Sequence, residues 1–325
     1  MISIIMSCFN AEKYIAETIK SIIVQTYVDF EFIIIDDNSD DKTVDIIKGF
    51  QDKRIRLFIN EENRGLTVNL NFGLKQAKGE YIARVDSDDV FIKNKLEVQK
   101  KYFDRNPEVG LIGTNAYIYG TKKVIKMPIT YSQILGSITL YNPFIHSSIM
   151  VKKDVIMKYL YNELFRHSQD YELWSRLVFN EKVININKPL LKYRIHENQI
   201  SKKLETSQNV LSSEIKSNII EKVMTLSENH KKIFINSLQL MNVKSVVLKD
   251  VKKVYQDIYL SHTFLDSNSE RYFKKQLWSF YDRLTYYIIK NNHFKVYYSE
   301  ISFWPINRFN LMSKLIWIKK KVGLK

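Results

Sequence analysis

The sequence predicts an α/β protein: a mostly parallel sheet flanked by helices, followed by an α-helical carboxyl-terminal region. Short apolar runs alternate with segments of helical spacing up to about residue 85, the rhythm of a parallel sheet with crossover helices. Polar residues cluster where these apolar runs end, the edge at which open α/β sheets bind ligands. After Ser201 the spacing turns helical and stays so.

Ile2 to Met6 reads as a short buried strand that runs through Ser7-Cys8-Phe9-Asn10 into a helix with Ala11, Ile15, Ile19, Ile22 and Ile23 inward. Phe30 to Ile35 is a second strand, ending at Asp36-Asp37-Asn38-Ser39, and Thr43 to Phe50 resumes helical spacing. Asn63, Arg64, Gly65 and Asn69 stand at the start of another helix, whose amino end suits anionic oxygens. Tyr81 to Ala83 is strand-like, Asn94 to Phe103 helical, and Asn106-Pro107 breaks that helix before a strand at Val109 to Ile112. Residues 115 to 150 are less regular, with breakers at Met127-Pro128 and Asn142-Pro143 and a strand expected at Ser148 to Val151. A helix is expected over Tyr171 to Phe179, with Leu173, Trp174, Leu177 and Val178 on its buried side. The chain divides near residue 200.

The run Arg84-Val85-Asp86-Ser87-Asp88-Asp89 carries the strongest chemical signal. Three carboxylates in four positions oppose one another's ionisation unless a cation or hydrogen-bonding ligand sits among them. Hard oxygen ligands suit Mg2+ or Mn2+, ions that complete their shell with substrate phosphates, so a diphosphate-bearing substrate is the natural guest. Strand-end placement puts Ser7, Phe9, Asp37, Asp86 and Asp88 along one crevice. His167, His230, His262 and His293 form no recognisable metal spacing.

With 325 residues, the chain exceeds one ordinary core and suggests a catalytic domain, 1–200, with an appendage, 201–325. A single cysteine, Cys8, rules out an internal disulfide framework and fits a reducing compartment. No basic region opens the amino terminus and Glu12 interrupts the apolar stretch early, which argues against a signal peptide. No apolar run approaches the ~20 residues needed to span a bilayer. The net charge of +15 is uneven: residues 1–200 carry +3 and residues 201–325 carry +12. That appendage is also aromatic, yet it lacks the zinc spacing, RNP-like string or basic arm of a nucleic-acid binder. Anionic lipid is the better partner, and Leu311 to Val322 fits an interfacial helix with Leu311, Leu315, Ile318 and Val322 on one face.

Six strings together resemble the family 2 glycosyltransferases of the GT-A, Rossmann-like fold: Ser3 to Asn10, Ile35 to Ser39, Asn63-Arg64-Gly65, Gly79 to Asp89, Gln169 to Trp174 and Tyr193-Arg194-Ile195-His196. The resemblance covers about residues 1 to 200, and Gln169 departs from the Glu usual before the catalytic Asp. It implies inverting transfer of a sugar from a nucleotide diphosphate donor, assisted by Mn2+ or Mg2+.

On that resemblance Asp88 and His196 are expected to hold the metal, a Lewis acid that neutralises the leaving diphosphate. Asp86 is expected to contact the ribose hydroxyls. Asp37 would accept a uracil imide N–H while Ser7 and Phe9 bond and flank the base, with Arg64, Gly65 and Asn69 beside the anionic oxygens and Arg84 balancing the acidic cluster. Asp170 is expected to be the base that deprotonates the acceptor hydroxyl, and His146 is placed on the acceptor side. A nucleotidyltransferase or a NAD-dependent oxidoreductase would need a glycine-rich loop that Ser7-Cys8-Phe9-Asn10 lacks. A non-catalytic scaffold of a polysaccharide-assembly complex is the remaining alternative. The expected setting is cytoplasmic, peripheral at the inner face of the cell membrane, with a UDP-sugar as donor and a lipid-linked glycan of capsule or O-antigen type as acceptor.

Overall fold

A computed structural model of the chain describes residues 1–196, 199, 205–238, 248–260 and 265–291. The expected interfacial helix at 311–322 and His262 and His293 lie outside them. Among the described residues, nine strands form one sheet: β1 (Ile2–Cys8), β2 (Phe30–Asp36), β3 (Ile55–Ile59), β4 (Tyr81–Arg84), β5 (Val90–Phe91), β6 (Val109–Ile118), β7 (Val124–Ile125), β8 (Met150–Lys152) and β9 (Lys182–Tyr193). Their order is β3-β2-β1-β4-β8-β6-β9-β5, with β7 paired to β6. The half of the sheet formed by β3, β2, β1 and β4 is parallel, as the early βα rhythm predicts. β8 runs antiparallel to both of its neighbours, β4 and β6, and β9 runs parallel to β6.

These directions fix where chemistry gathers. Two reversals across β8 restore the original sense, so β1, β2, β4, β6 and β9 all point their carboxyl ends to the same edge. The residues just before β8 reach that edge from the opposite direction. Positions 7–10, 36–39, 84–89, 146–148 and 194–196 therefore meet along one rim of the sheet.

The sheet's two faces follow from the period-two alternation of a strand. Ile2, Ile4 and Met6 face one apolar cluster with Phe32 and Ile34, covered by α1 (Ile15–Ile23), α2 (Thr43–Lys48) and α4 (Lys95–Arg105). Ile5, Ile33 and Ile35 face the other, covered by α3 (Leu66–Gln76) and by α7 (Gln169–Leu177) through Leu173, Trp174 and Leu177. This second core continues without a break into the carboxyl-terminal helices α8 (Glu205–Val223), α9 (Glu228–Leu238), α10 (Leu248–Leu260) and α11 (Ser267–Asn291), through Ile219, Phe234, Tyr255 and Phe273. Each such buried side chain contributes roughly 1.5–3 kcal/mol, so the helical region is part of the same core as the sheet. α11 lies against α5 (Tyr131–Ser137) so closely that a Cβ on Gly136 would stand 2.5 Å from the Ser269 carbonyl oxygen.

The short helix α6 (Lys153–Tyr159) completes the framework. The strand expected at Ser148 to Val151 begins at Met150, because a 3-10 turn occupies His146–Ser148. There the Ser148 hydroxyl donates to the Ile145 carbonyl at 2.7 Å, a local bond that competes with the strand ladder.

Candidate functional site

Asp37 closes the loop after β2 onto the start of α3. Its carboxylate accepts the backbone N–H groups of Arg64 at 2.8 Å and Gly65 at 2.9 Å, and the Asn60 amide at 2.8 Å. Gly65 has φ +89°, a conformation open to glycine and strained for other residues, and this turns the chain into α3. The same Asn60 nitrogen donates to Asn69 Oδ1 at 2.8 Å, and Asn69 Nδ2 donates to Ser7 Oγ at 3.2 Å. Ser7, Asp37, Asn60 and Asn69 thus form one polar chain across the ends of β1, β2 and β3. Phe9 is 50% exposed at its mouth, and the Arg64 side chain is exposed.

The acidic run lies two strands away. Arg84 is buried, pairs with the Asp86 carboxylate and donates to Ser147 Oγ at 3.2 Å. Ser147 in turn donates to Asp86 Oδ2 at 2.7 Å and accepts the Asp86 N–H at 2.9 Å, so its hydroxyl is fully used. Burial works against ionisation of Asp86, but the Arg84 guanidinium outweighs it and the pKa is lowered. Arg84 is buried while the Asp86 side chain is 36% exposed, which makes Arg84 the fixed counter-charge of the cluster. Arg84 Nε, also buried, has no hydrogen-bond partner.

Asp88 Oδ2 and His196 Nε2 are 2.8 Å apart although 108 residues separate them in sequence. Burial, then the charge of Asp86, raises the Asp88 pKa, and His196 partly opposes this. Asp89 is fully buried, and burial followed by the charges of Asp86 and Asp88 pushes its pKa well above the usual carboxylate range. Asp89 Oδ1 accepts the Arg194 N–H at 2.9 Å, while Oδ2 is buried without a partner, as is His196 Nδ1. Ligand atoms of Asp86, Asp88 and Asp89 lie within 4.8 Å of one another. The 2.8 Å approach of Asp88 to His196 is a direct hydrogen bond, so both side chains stand at one point beside the acidic cluster, where either could serve as a ligand. The raised carboxyls, the orphaned oxygen and the hard donor set fit a divalent cation.

Asp170 sits in the first turn of α7, where a carboxylate is favoured by the helix dipole. Asn142 donates to its Oδ2 at 2.7 Å and the Tyr171 N–H to its Oδ1 at 2.8 Å. Burial raises its pKa more than these donors and Arg84 lower it, and Asp86 adds to the rise. Asp170 therefore lies within the electrostatic reach of the Arg84–Asp86 pair. His146 occupies a deeper layer: it is 9% exposed, bonded to the Tyr161 hydroxyl at 2.8 Å, and edge-on to Trp174. Burial, then Arg84, depresses its pKa well below that of an ordinary histidine. It precedes Ser147, whose hydroxyl bonds Asp86.

The rim thus brings Ser7, Asp37, Gly65 and Asn69 together at one end, and Arg84, Asp86, Asp88 and His196 at the other. Ser147, Asp89, Asn142, Asn60 and Arg194 complete these contacts without having been singled out from sequence. Asp89, the fourth position of the acidic run, and Arg194, inside the string Tyr193 to His196, did carry a visible signal.

The model of the family described as Glycosyl transferase family 2 matches residues 3–174. An uncharacterized glycosyltransferase of Haemophilus influenzae is 30% identical over 279 residues, covering 80% of this chain and 86% of that protein. The UDP-Glc:alpha-D-GlcNAc-diphosphoundecaprenol beta-1,3-glucosyltransferase WfgD of Escherichia coli is 34% identical over 208 residues, 62% of this chain and 79% of the relative. Among solved structures, S. aureus TarS 1–349 in complex with UDP-GlcNAc superposes with a TM-score of 0.60 at 16% identity, covering 91% of this chain and 93% of that one. The matched span takes in the polar chain at Asp37, the acidic run and Asp170, and it places the chain in glycosyl transferase family 2, as a glycosyltransferase of the GT-A fold.

Proposed function

We propose that the protein is an inverting, divalent-metal-dependent glycosyltransferase that moves a sugar from a UDP-sugar to a hydroxyl of a lipid-linked glycan during surface-polysaccharide assembly. The observation that carries this reading is the 2.8 Å approach of Asp88 to His196 on the same rim as Asp37 and Asp170. WfgD acts, by its name, with UDP-Glc on a diphosphoundecaprenol-linked sugar, and TarS was captured with UDP-GlcNAc, which favours UDP and a lipid-linked acceptor here. No described helix is long and apolar enough to cross a membrane, so a lipid-linked acceptor would be met at the membrane face.

Asp37, buried at the end of β2 with acceptor capacity left on Oδ2 beyond its bonds to Asn60, Arg64 and Gly65, reads a base that offers an imide N–H, and Phe9 flanks it. The amino end of α3, with Arg64 and Gly65, faces anionic oxygens of the donor. Asp86, held by Arg84 and Ser147, bonds the ribose hydroxyls. Asp88 and His196 would hold the cation, which supplies Lewis-acid neutralisation of the leaving diphosphate. Asp170 accepts the proton of the acceptor hydroxyl as that oxygen bonds the anomeric carbon from the face opposite the diphosphate. The anomeric C–O bond breaks with its electron pair leaving on UDP, so one proton and one UDP balance each new glycosidic bond.

Donor-dependent release of UDP, followed across a panel of UDP-sugars with an undecaprenyl-diphosphate-linked sugar as acceptor, tests the reading. Turnover that requires acceptor and Mn2+ and is lost in Asp170→Asn supports it. A protein that binds the assembly partners but releases no UDP with any donor would be a scaffold.

A further inference from the structure

Asp88 and His196 come from distant strand ends, and their spacing has to be set by something other than the strands themselves. The start of α1 touches the acidic turn, and Tyr14 just before it touches His196. Thr18 Oγ1 donates to the Ser87 carbonyl at 2.9 Å, which fixes the acidic turn from one side. The Tyr14 ring, just before α1, lies 4.9 Å from the His196 ring. Between these two contacts Glu17 Oε2 accepts Arg194 Nη2 at 2.7 Å, and Glu17 Oε1 accepts the Tyr119 hydroxyl at 2.8 Å.

Arg194 links the two sides directly. Its side-chain Nε donates to the Asp88 carbonyl at 2.8 Å, and its backbone N–H donates to Asp89. Its guanidinium lies 3.7 Å from the Tyr119 ring centroid and 4.6 Å from that of Tyr14. Its own carbonyl accepts Gln199 Nε2 at 2.6 Å, which shapes the turn that carries His196. The ion pair to the half-exposed Glu17 would by itself contribute little. A planar group stacked between two rings, with its forked donors aimed in two directions, is a geometry that lysine does not reproduce.

We infer that Tyr14, Glu17, Thr18 and Arg194 are positioning residues that hold the Asp88–His196 pair beside the acidic cluster, in place for a cation. This rests on the metal reading proposed above. Thr18, Arg194 and Tyr14 reach the pair through Ser87, Asp88, Asp89 and His196, and Glu17 reaches it only through Arg194. Partners of this kind typically change metal affinity 10–100-fold when removed.

The test is Mn2+ uptake by the full chain with saturating UDP, followed by loss of the electron paramagnetic resonance signal of aqueous Mn2+. Arg194→Lys and Tyr14→Ala should each weaken Mn2+ binding about 10-fold, while Tyr14→Phe, which keeps the ring, should match the wild type. If Tyr14→Ala fails to fold, the exposed Glu17→Gln replaces it, with an expected loss of ~3-fold, the scale of an exposed ion pair. Folded Arg194→Lys and Tyr14→Ala, or its Glu17→Gln replacement, that bind Mn2+ within about twofold of the wild type overturn the inference while leaving the metal reading intact. A wild type that takes up no Mn2+ overturns both.

Discussion

Asp170 is a half-buried carboxyl, bonded by Asn142 and the Tyr171 N–H, at the start of α7. Because burial raises its pKa, the acid limb of the turnover–pH profile should lie above the usual aspartate range, with activity gained as pH rises through it. Asp170→Asn should lower turnover by at least about 10³-fold and leave UDP affinity within about twofold, measured by acceptor-dependent UDP release and by titration calorimetry. Lost UDP affinity with retained turnover would reject the base assignment. A second residue, Lys95, is fully buried with its Nζ 4.0 Å over the Phe91 ring and no hydrogen-bond partner. Burial lowers its pKa to about 7. Since the unfolded chain binds this proton up to a higher pH, the Lys95 contribution makes stability rise with pH from about 7 toward the normal lysine value. Lys95→Met should raise stability at pH 7 by on the order of 1–3 kcal/mol and flatten that slope, as read from urea denaturation at several pH values. The acids at 86, 88 and 170 were legible one by one because each ends an apolar run or opens a helix. The contacts of Ser147, Asn142 and Arg194 were not, since each is made across the fold.

The elements show the same division. β1, β2, β4, α1 and α4 follow from periodicity and from the polar turns between them. β9 was not legible: its twelve residues mix lysines, asparagines and Pro189, and it pairs with β6 through register shifts around Asn115 that no local pattern announces. The start of α5 did carry a signal, Thr130 with Gln133 three residues on, and the two form a reciprocal capping box. What the sequence hides is that α5 then receives α11. With Ser269 O at 2.5 Å and Phe273 N at 3.0 Å from a Cβ at position 136, the backbone itself must move to admit a methyl group. Gly136→Ala should cost roughly 1–3 kcal/mol, seen as a lower urea midpoint with an unchanged slope. An unchanged midpoint would mean that α11 does not sit so close to α5.

In the whole molecule, a common strand direction gathers distant segments onto one rim, and a single core ties the helical region to the sheet. The expected division near residue 200 marks a change from α/β to helical structure, yet the apolar cluster runs through it from Leu70 to Phe273. The rim, by contrast, joins donor recognition at Asp37 to the Asp88–His196 pair, so nucleotide and cation should bind together rather than independently. Titration calorimetry of UDP with and without Mn2+ measures that coupling. The account predicts that Mn2+ tightens UDP binding by at least about 10-fold in the wild type, and that Asp88→Asn and His196→Ala each abolish the gain while leaving the weaker, metal-free affinity in place. UDP binding that is indifferent to Mn2+ in the wild type, or a gain that survives both substitutions, would contradict it.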